Sequence, residues 1–118
     1  MPSIFERIIA REIPADIVYE DELVIAFRDI APRAPIHLLV VPKTPVHENV
    51  VELAAGDPAL LAHVVATAQR LADEHTGGEF RLVFNTGARA GQSVFHVHAH
   101  VLGARHGETL NEDTLGEL

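Results

Sequence analysis

Histidine recurs at every second position through His96, His98 and His100, inside Val94-Phe-His-Val-His-Ala-His-Val-Leu102, where every other residue is apolar. A period of two is the pattern of a strand, because successive side chains of an extended chain leave on opposite faces. The three imidazoles then share one face, with Val97, Ala99 and Val101 on the other. A strand this apolar belongs inside a sheet, and burying three titratable rings is unfavourable unless each has a hydrogen-bonding partner. That cost marks the row as a site rather than as ordinary core.

The row also restricts the chemistry. Neighbours on one face of a strand lie about 6.7 Å apart and the outer pair about 13 Å apart, against Zn–N bonds of about 2.0–2.1 Å. Two of the rings could converge on one ion, but hardly all three. Cysteine is absent, which removes thiolate sites and disulfides. Imidazole chemistry remains: nucleophile, proton donor and hydrogen-bond donor to phosphate. Upstream lies Asn85-Thr-Gly-Ala-Arg-Ala-Gly-Gln-Ser93, whose Gly87 and Gly91 let a loop turn and offer N–H and O–H groups to a phosphate. It delivers Gln92 and Ser93 to the start of the histidine strand.

The remaining elements follow from local signals. Ser3-Ile-Phe-Glu6 has capping-box spacing and predicts a short helix from Ser3 to about Arg11, ahead of Pro14. Ile17–Tyr19 and Leu23–Phe27 form a predicted hairpin, His37–Val41 a third strand closed by Pro42, and Phe80–Asn85 and Ser93–Leu102 the last two. Asp57-Pro58 opens a long helix to about His75, with Gly77 and Gly78 as its stop. Leu60, Leu61, Val64, Val65, Ala68, Leu71 and Ala72 form its apolar stripe. The expected class is α+β: five mostly antiparallel strands, one short N-terminal helix and one long helix, with the helices on one face. One domain is expected over residues 1–118, with a tail from about 106.

Gly91-Gln-Ser-Val-Phe-His-Val-His-Ala-His-Val-Leu-Gly103 resembles the signature of the histidine triad (HIT) superfamily, and within it the branch of purine nucleoside phosphoramidases. Glu12–Asp16, Ala26–Ile30 and Ala34–Lys43 are similar to the family's earlier blocks, in order and spacing. The resemblance implies the HIT fold and cleavage of the P–N bond of purine nucleoside 5′-phosphoramidates. It makes His98 the nucleophile, His100 a hydrogen-bonding partner of the reacting phosphate or leaving group, and His96 a support for the middle ring, with His37 as its partner. Ser93 would serve the phosphate or leaving group, Gly91 and Gln92 would offer backbone contacts, Asn85 would bond the ribose–phosphate region, and Asp29 would accept from the ribose hydroxyls. Phe5, Ile8, Ile13, Phe27, Ile30 and Leu39 match positions lining a base slot. His47, His63, His75 and His106 receive no role.

The resemblance further implies a two-fold homodimer in which the long helix and strand Phe80–Asn85 meet their mates. The stripe of Val64, Val65, Ala68 and Ala72 is a second reason to expect it. Ser3 and Glu6 stand where some relatives carry a cysteine pair in a structural zinc site, so neither that site nor any cofactor is expected. A net charge of −8 disfavours a nucleic-acid groove. With no spanning run, export signal or cysteine, the expectation is a cytoplasmic protein without a membrane partner. Alternatives are a dinucleoside-polyphosphate hydrolase of the same superfamily, a purine-nucleotide-binding regulatory protein, and a metal hydrolase using His37 with two triad residues.

Overall fold

The computed structural model describes residues 2–110, so Glu112, Asp113, Glu117 and the rest of the tail from 111 lie outside the described residues. Helix α1 (Ile4–Ile9) is followed by β1 (Ile17–Glu20), β2 (Val24–Arg28) and β3 (Ile36–Pro42). Then come α2 (Val50–Gly56), α3 (Pro58–His75), β4 (Arg81–Val83), a single 3₁₀ turn at Ala88–Ala90, and β5 (Ala99–Gly103). The sheet order is β1-β2-β3-β5-β4 and every pairing is antiparallel.

Side-chain alternation sends one set of each strand to each face. Val24 and Ala26 of β2, Leu38 and Val40 of β3, and Ala99 and Val101 of β5 meet Leu53 of α2 and Leu60, Val64, Ala68 and Leu71 of α3. Ile25, Phe27, Leu39 and Val41 point the other way, against Phe5 and Ile8 of α1. Helices therefore cover both faces, not the single face expected. The unbroken apolar runs Val24–Phe27 and Leu38–Val41 have the composition of strands buried on both sides.

Local signals set the helix ends. The Ser3 Oγ accepts from the Glu6 N–H at 3.1 Å while a Glu6 carboxylate oxygen accepts from the Ser3 N–H at 3.1 Å, completing the capping box. Asp57 caps α3 through the Leu60 N–H, with Pro58 in its first turn, and the Gly78 N–H closes onto the Ala72 carbonyl at its end. Helix α2 was not anticipated. Asn49 caps it by accepting from the Glu52 N–H, and a Glu52 carboxylate oxygen accepts from the Glu48 N–H.

The stripe of α3 is consumed within the chain. Val64, Ala68, Leu71 and Ala72 are fully buried, and of the residues expected at a helix–helix dimer contact only Val65 is exposed. Gly103, at the end of β5, lets α3 approach closely, since a Cβ there would lie 2.3 Å from Thr76 Cγ2. Among the described residues no helix is long and apolar enough to cross a membrane.

Candidate active site

The histidine row is only partly a strand. β5 begins at Ala99, so His100 alone of the three is in the ladder, opposite Leu39 of β3 and Val83 of β4. The expected strand from Ser93 is not formed: the β3–β5 ladder stops at Val40 and Ala99, two residues before β3 itself ends, and the Pro42 carbonyl accepts from the His96 ring instead (Nε2 to O, 2.6 Å). The Val97 N–H instead donates to the His47 carbonyl at 3.0 Å. Strand β4 is likewise shorter than the expected Phe80–Asn85.

His37 and His100 face one another from adjacent strands, Nε2 to Nδ1 at 2.9 Å. This corrects the expected pairing of His37 with His96, which is 1% exposed and bonded to Pro42. The register explains the change. His37 and His100 have the parity of Leu39 and Val41 and so share the α1 face, whereas His96 precedes β5 and lies beside the end of β3.

Hydrogen bonding dictates the tautomers. The Arg33 N–H donates to His37 Nδ1 at 3.0 Å, so in the neutral ring the proton is on Nε2, where it can be donated to His100 Nδ1. His100 then carries its own proton on Nε2. His98 Nδ1 lies 2.9 Å from the His96 carbonyl, which can only accept, so Nδ1 is protonated and Nε2 keeps its lone pair. Burial holds all four rings below the ordinary histidine range, His100 down to about 4 with the neighbouring His98 and His37 adding to the effect. For His37 the Asp29 carboxylate, 3.5 Å away, opposes burial without overcoming it. The rings are neutral near pH 7.

Two clefts meet at these rings. An apolar slot of about 450 Å³ is lined by Phe5, Ile8, Ile13, Phe27, Ile30 and Leu39, all six expected residues. Phe5 also braces the site, with its ring edge-on to His98 at 4.8 Å and to His96 at 6.0 Å. Ile30 is 94% exposed and so forms a lip, not a wall. A polar compartment of about 360 Å³ is lined by Asn85, Gly91, Arg33 and His37 among others. Asp29, Ser93, His98 and His100 line both clefts and form their junction. One Asp29 oxygen is bonded to the Ala31 N–H and the other faces His37.

The loop behaves differently from the expectation. The N–H groups of Gly91 and Gln92 donate to the Ala88 and Gly87 carbonyls at 3.1 Å each, so they are used within the loop rather than offered to a phosphate. The Gln92 side chain is buried and lines neither cleft. It accepts from the Gly87 N–H and donates to the Glu48 and Val94 carbonyls, which pins the loop. Gly91 lines the polar compartment at φ 101°, a backbone geometry that a side chain would strain. Arg33 is a site residue that the sequence reading missed. Its only signal was a charged residue held between Pro32 and Pro35 just before His37. Asp29, His37 and His100 also form a donor set that could hold a cation, at the expense of the His37–His100 hydrogen bond.

The family model described as HIT domain matches residues 10–107. The chain belongs to the HIT family. This HIT protein is 52% identical over 104 residues to a HIT-like protein of Synechococcus elongatus, across 87% of this chain and 90% of the other. It is 43% identical over 105 residues to the purine nucleoside phosphoramidase of Escherichia coli K12, across 87% of each chain. The HIT family hydrolase of Legionella pneumophila superposes with a TM-score of 0.83 at 39% identity, across 94% of this chain and 97% of that one. The α+β architecture described above is therefore the HIT fold.

Proposed function

We propose that this HIT protein hydrolyses the P–N bond of purine nucleoside 5′-phosphoramidates through a nucleotidyl intermediate on His98. The observation that carries the reading is the Nδ1–H bond from His98 to the His96 carbonyl, at the junction of an apolar slot and a polar compartment. It leaves a lone pair on Nε2 beside the place where a phosphoryl group would sit, with the base in the slot. The similarity to the Escherichia coli phosphoramidase supports the substrate class.

In this mechanism Nε2 attacks phosphorus and the P–N bond breaks. The departing nitrogen takes a proton from solvent through the Ser93 hydroxyl and leaves as the amine. The ring, now cationic, strengthens its bond to the His96 carbonyl. The Nε2–H of His100 donates to a phosphoryl oxygen. Water then attacks phosphorus, the P–Nε2 bond breaks with its electron pair returning to the ring, and the nucleoside monophosphate leaves as a proton passes to solvent. Splitting one displacement into two lowers the barrier of each. Asp29 and Asn85 are assigned to the ribose and the ribose–phosphate region.

A homodimer is part of this reading. It rests on the outer edge of β4, which has β5 as its one neighbour in the sheet and would be protected by a second copy. The test of function is turnover of an adenosine 5′-phosphoramidate beside a diadenosine polyphosphate, with and without chelator. Preferential cleavage of the phosphoramidate, insensitive to chelation, is expected. Preference for the polyphosphate would favour the related hydrolase. Loss of activity on chelation would favour a metal bound by Asp29, His37 and His100.

A further inference from the structure

One buried amide fastens three separate stretches of chain at the front of the histidine segment. The Gln92 side-chain oxygen accepts from the Gly87 N–H at 2.8 Å. Its nitrogen donates to the Glu48 carbonyl at 2.6 Å and to the Val94 carbonyl at 3.1 Å. These partners fix which end of the amide is which, since an N–H only donates and a carbonyl only accepts. Both donors are used, and the side chain is buried, so removing it leaves polar groups stranded away from water.

The next residue depends on this clamp. Ser93 is exposed at the junction of the two clefts, and among the described residues its hydroxyl has no hydrogen-bond partner. Its place is therefore set by its backbone, which Gln92 holds on both sides. The Gln92 N–H donates to the Gly87 carbonyl ahead of Ser93, and the Gln92 side chain reaches the Val94 carbonyl beyond it. His98 is secured by other means: the His96 ring on Pro42, the Val97 N–H on His47, and its own Nδ1 on the His96 carbonyl. Loss of the Gln92 bonds should displace Ser93 and leave the His98 ring where it is.

We propose that Gln92 is a positioning residue that holds the Ser93 hydroxyl where it can protonate the departing nitrogen. As the P–N bond breaks, that hydroxyl gives its proton to the nitrogen and takes one from water. The proposal rests on the phosphoramidase reading and deepens it by naming what places the proton donor. An alkylamine needs that proton in order to leave, whereas an electron-poor arylamine can depart with little help. Gln92 should therefore matter in proportion to how poor the leaving group is.

The test compares kcat/KM for the adenosine 5′-phosphoramidates of an alkylamine and of a nitroaniline. Their ratio, alkylamine over nitroaniline, is expected to fall about 10²-fold in Gln92→Leu, the scale of a 1 Å misplacement. Gln92→Glu keeps the acceptor for Gly87 but loses both donated bonds, and its ratio should fall as far. Ser93→Ala should lower the ratio too, and adding Gln92→Leu to it should lower the ratio no further. Each ratio compares two substrates on one protein, so partial loss of folded variant cancels. A measurement on the wild type alone needs no variant to fold: the Gln92 side-chain N–H protons should exchange with solvent more slowly than those of the exposed Gln69. Exchange as fast as at Gln69, an unchanged ratio in any of the three single variants, or a further fall in the double variant overturns the positioning role and leaves the phosphoramidase reading standing. Failure of the wild type to cleave either substrate overturns that reading and the proposal with it.

Discussion

Among the described residues two histidines face carboxylates, in contrasting surroundings. His63 on α3 lies 2.7 Å from Asp21 in the β1–β2 turn, and its side chain is 35% exposed. His37 on β3 lies 3.5 Å from Asp29, and its side chain is 2% exposed. At Asp21, burial alone would raise the carboxyl. The N–H groups of Val24 and Leu23, the Tyr19 hydroxyl and His63 outweigh it and hold the group well below the usual carboxylate range. At His37 burial wins over the carboxylate, and the ring stays neutral. The same residue pair thus fastens a helix to a hairpin where donors converge and water is near, and keeps a proton in a fixed place where water is excluded.

The largest effect should come from the buried side. His98→Ala is expected to lower turnover by about 10³-fold or more while nucleotide binding, measured by calorimetry, largely survives. Retention of more than a tenth of wild-type kcat would remove His98 from the nucleophile's role.

Next comes the hydrogen bond that distinguishes the two pairs. His37→Leu removes the donor to His100 Nδ1 and should cost about 10²-fold in kcat/KM, the scale of a lost preorganised donor. His37→Gln can still donate an amide N–H and should recover most of that loss. ¹⁵N spectra should report an Nε2-protonated His100 in the wild type and the Gln variant, and a mixed population in the Leu variant. An Nδ1-protonated His100 in the wild type would contradict the assignment.

Acid should separate the two regions by window. The buried rings are held below the unfolded value of 6.5, His100 to about 4, so between those values the unfolded chain binds more protons than the native one. Stability should therefore be full above pH 6.5 and fall as the pH drops toward 4. Asp21, lowered from 3.8, adds a second loss below that value. Calorimetric Tm against pH checks both, and a Tm that rises on acidification from 6.5 to 4 would contradict the buried set. The smallest effect belongs to the exposed pair. His63→Ala, which removes a partly exposed hydrogen bond to Asp21, should cost about 0.5–1 kcal/mol in denaturant unfolding, with turnover unchanged.

What the sequence disclosed depended on range. The caps at Ser3 and Asp57 were legible because their partners lie three residues away. Helix α2 carried a comparable sign in Asn49 and Glu52, but at seven residues it lacked the repeat that identifies α3. The apolar slot was legible only through family resemblance, since Phe5, Phe27 and Leu39 read equally well as core. The His37–His100 bond was not legible. It spans 63 positions and exists because β3 and β5 pair in one register, information no local pattern holds. The extended reading of His96 and His98 failed for a related reason: alternation predicts a strand, but a ladder also needs backbone partners, and here the Pro42 carbonyl is bonded to the His96 ring and the Val97 N–H to the His47 carbonyl.

The central claim is that His98 Nε2 becomes covalently nucleotidylated. Mixing the protein with excess adenosine 5′-phosphoramidate, quenching in alkali and mapping peptides by mass spectrometry tests it directly. An adenylyl group on His98, stable in base, lost in acid and absent from His98→Ala, is the expected result. Product formation in a burst with no adduct, or with the adduct on His96 or His100 instead, would contradict the account.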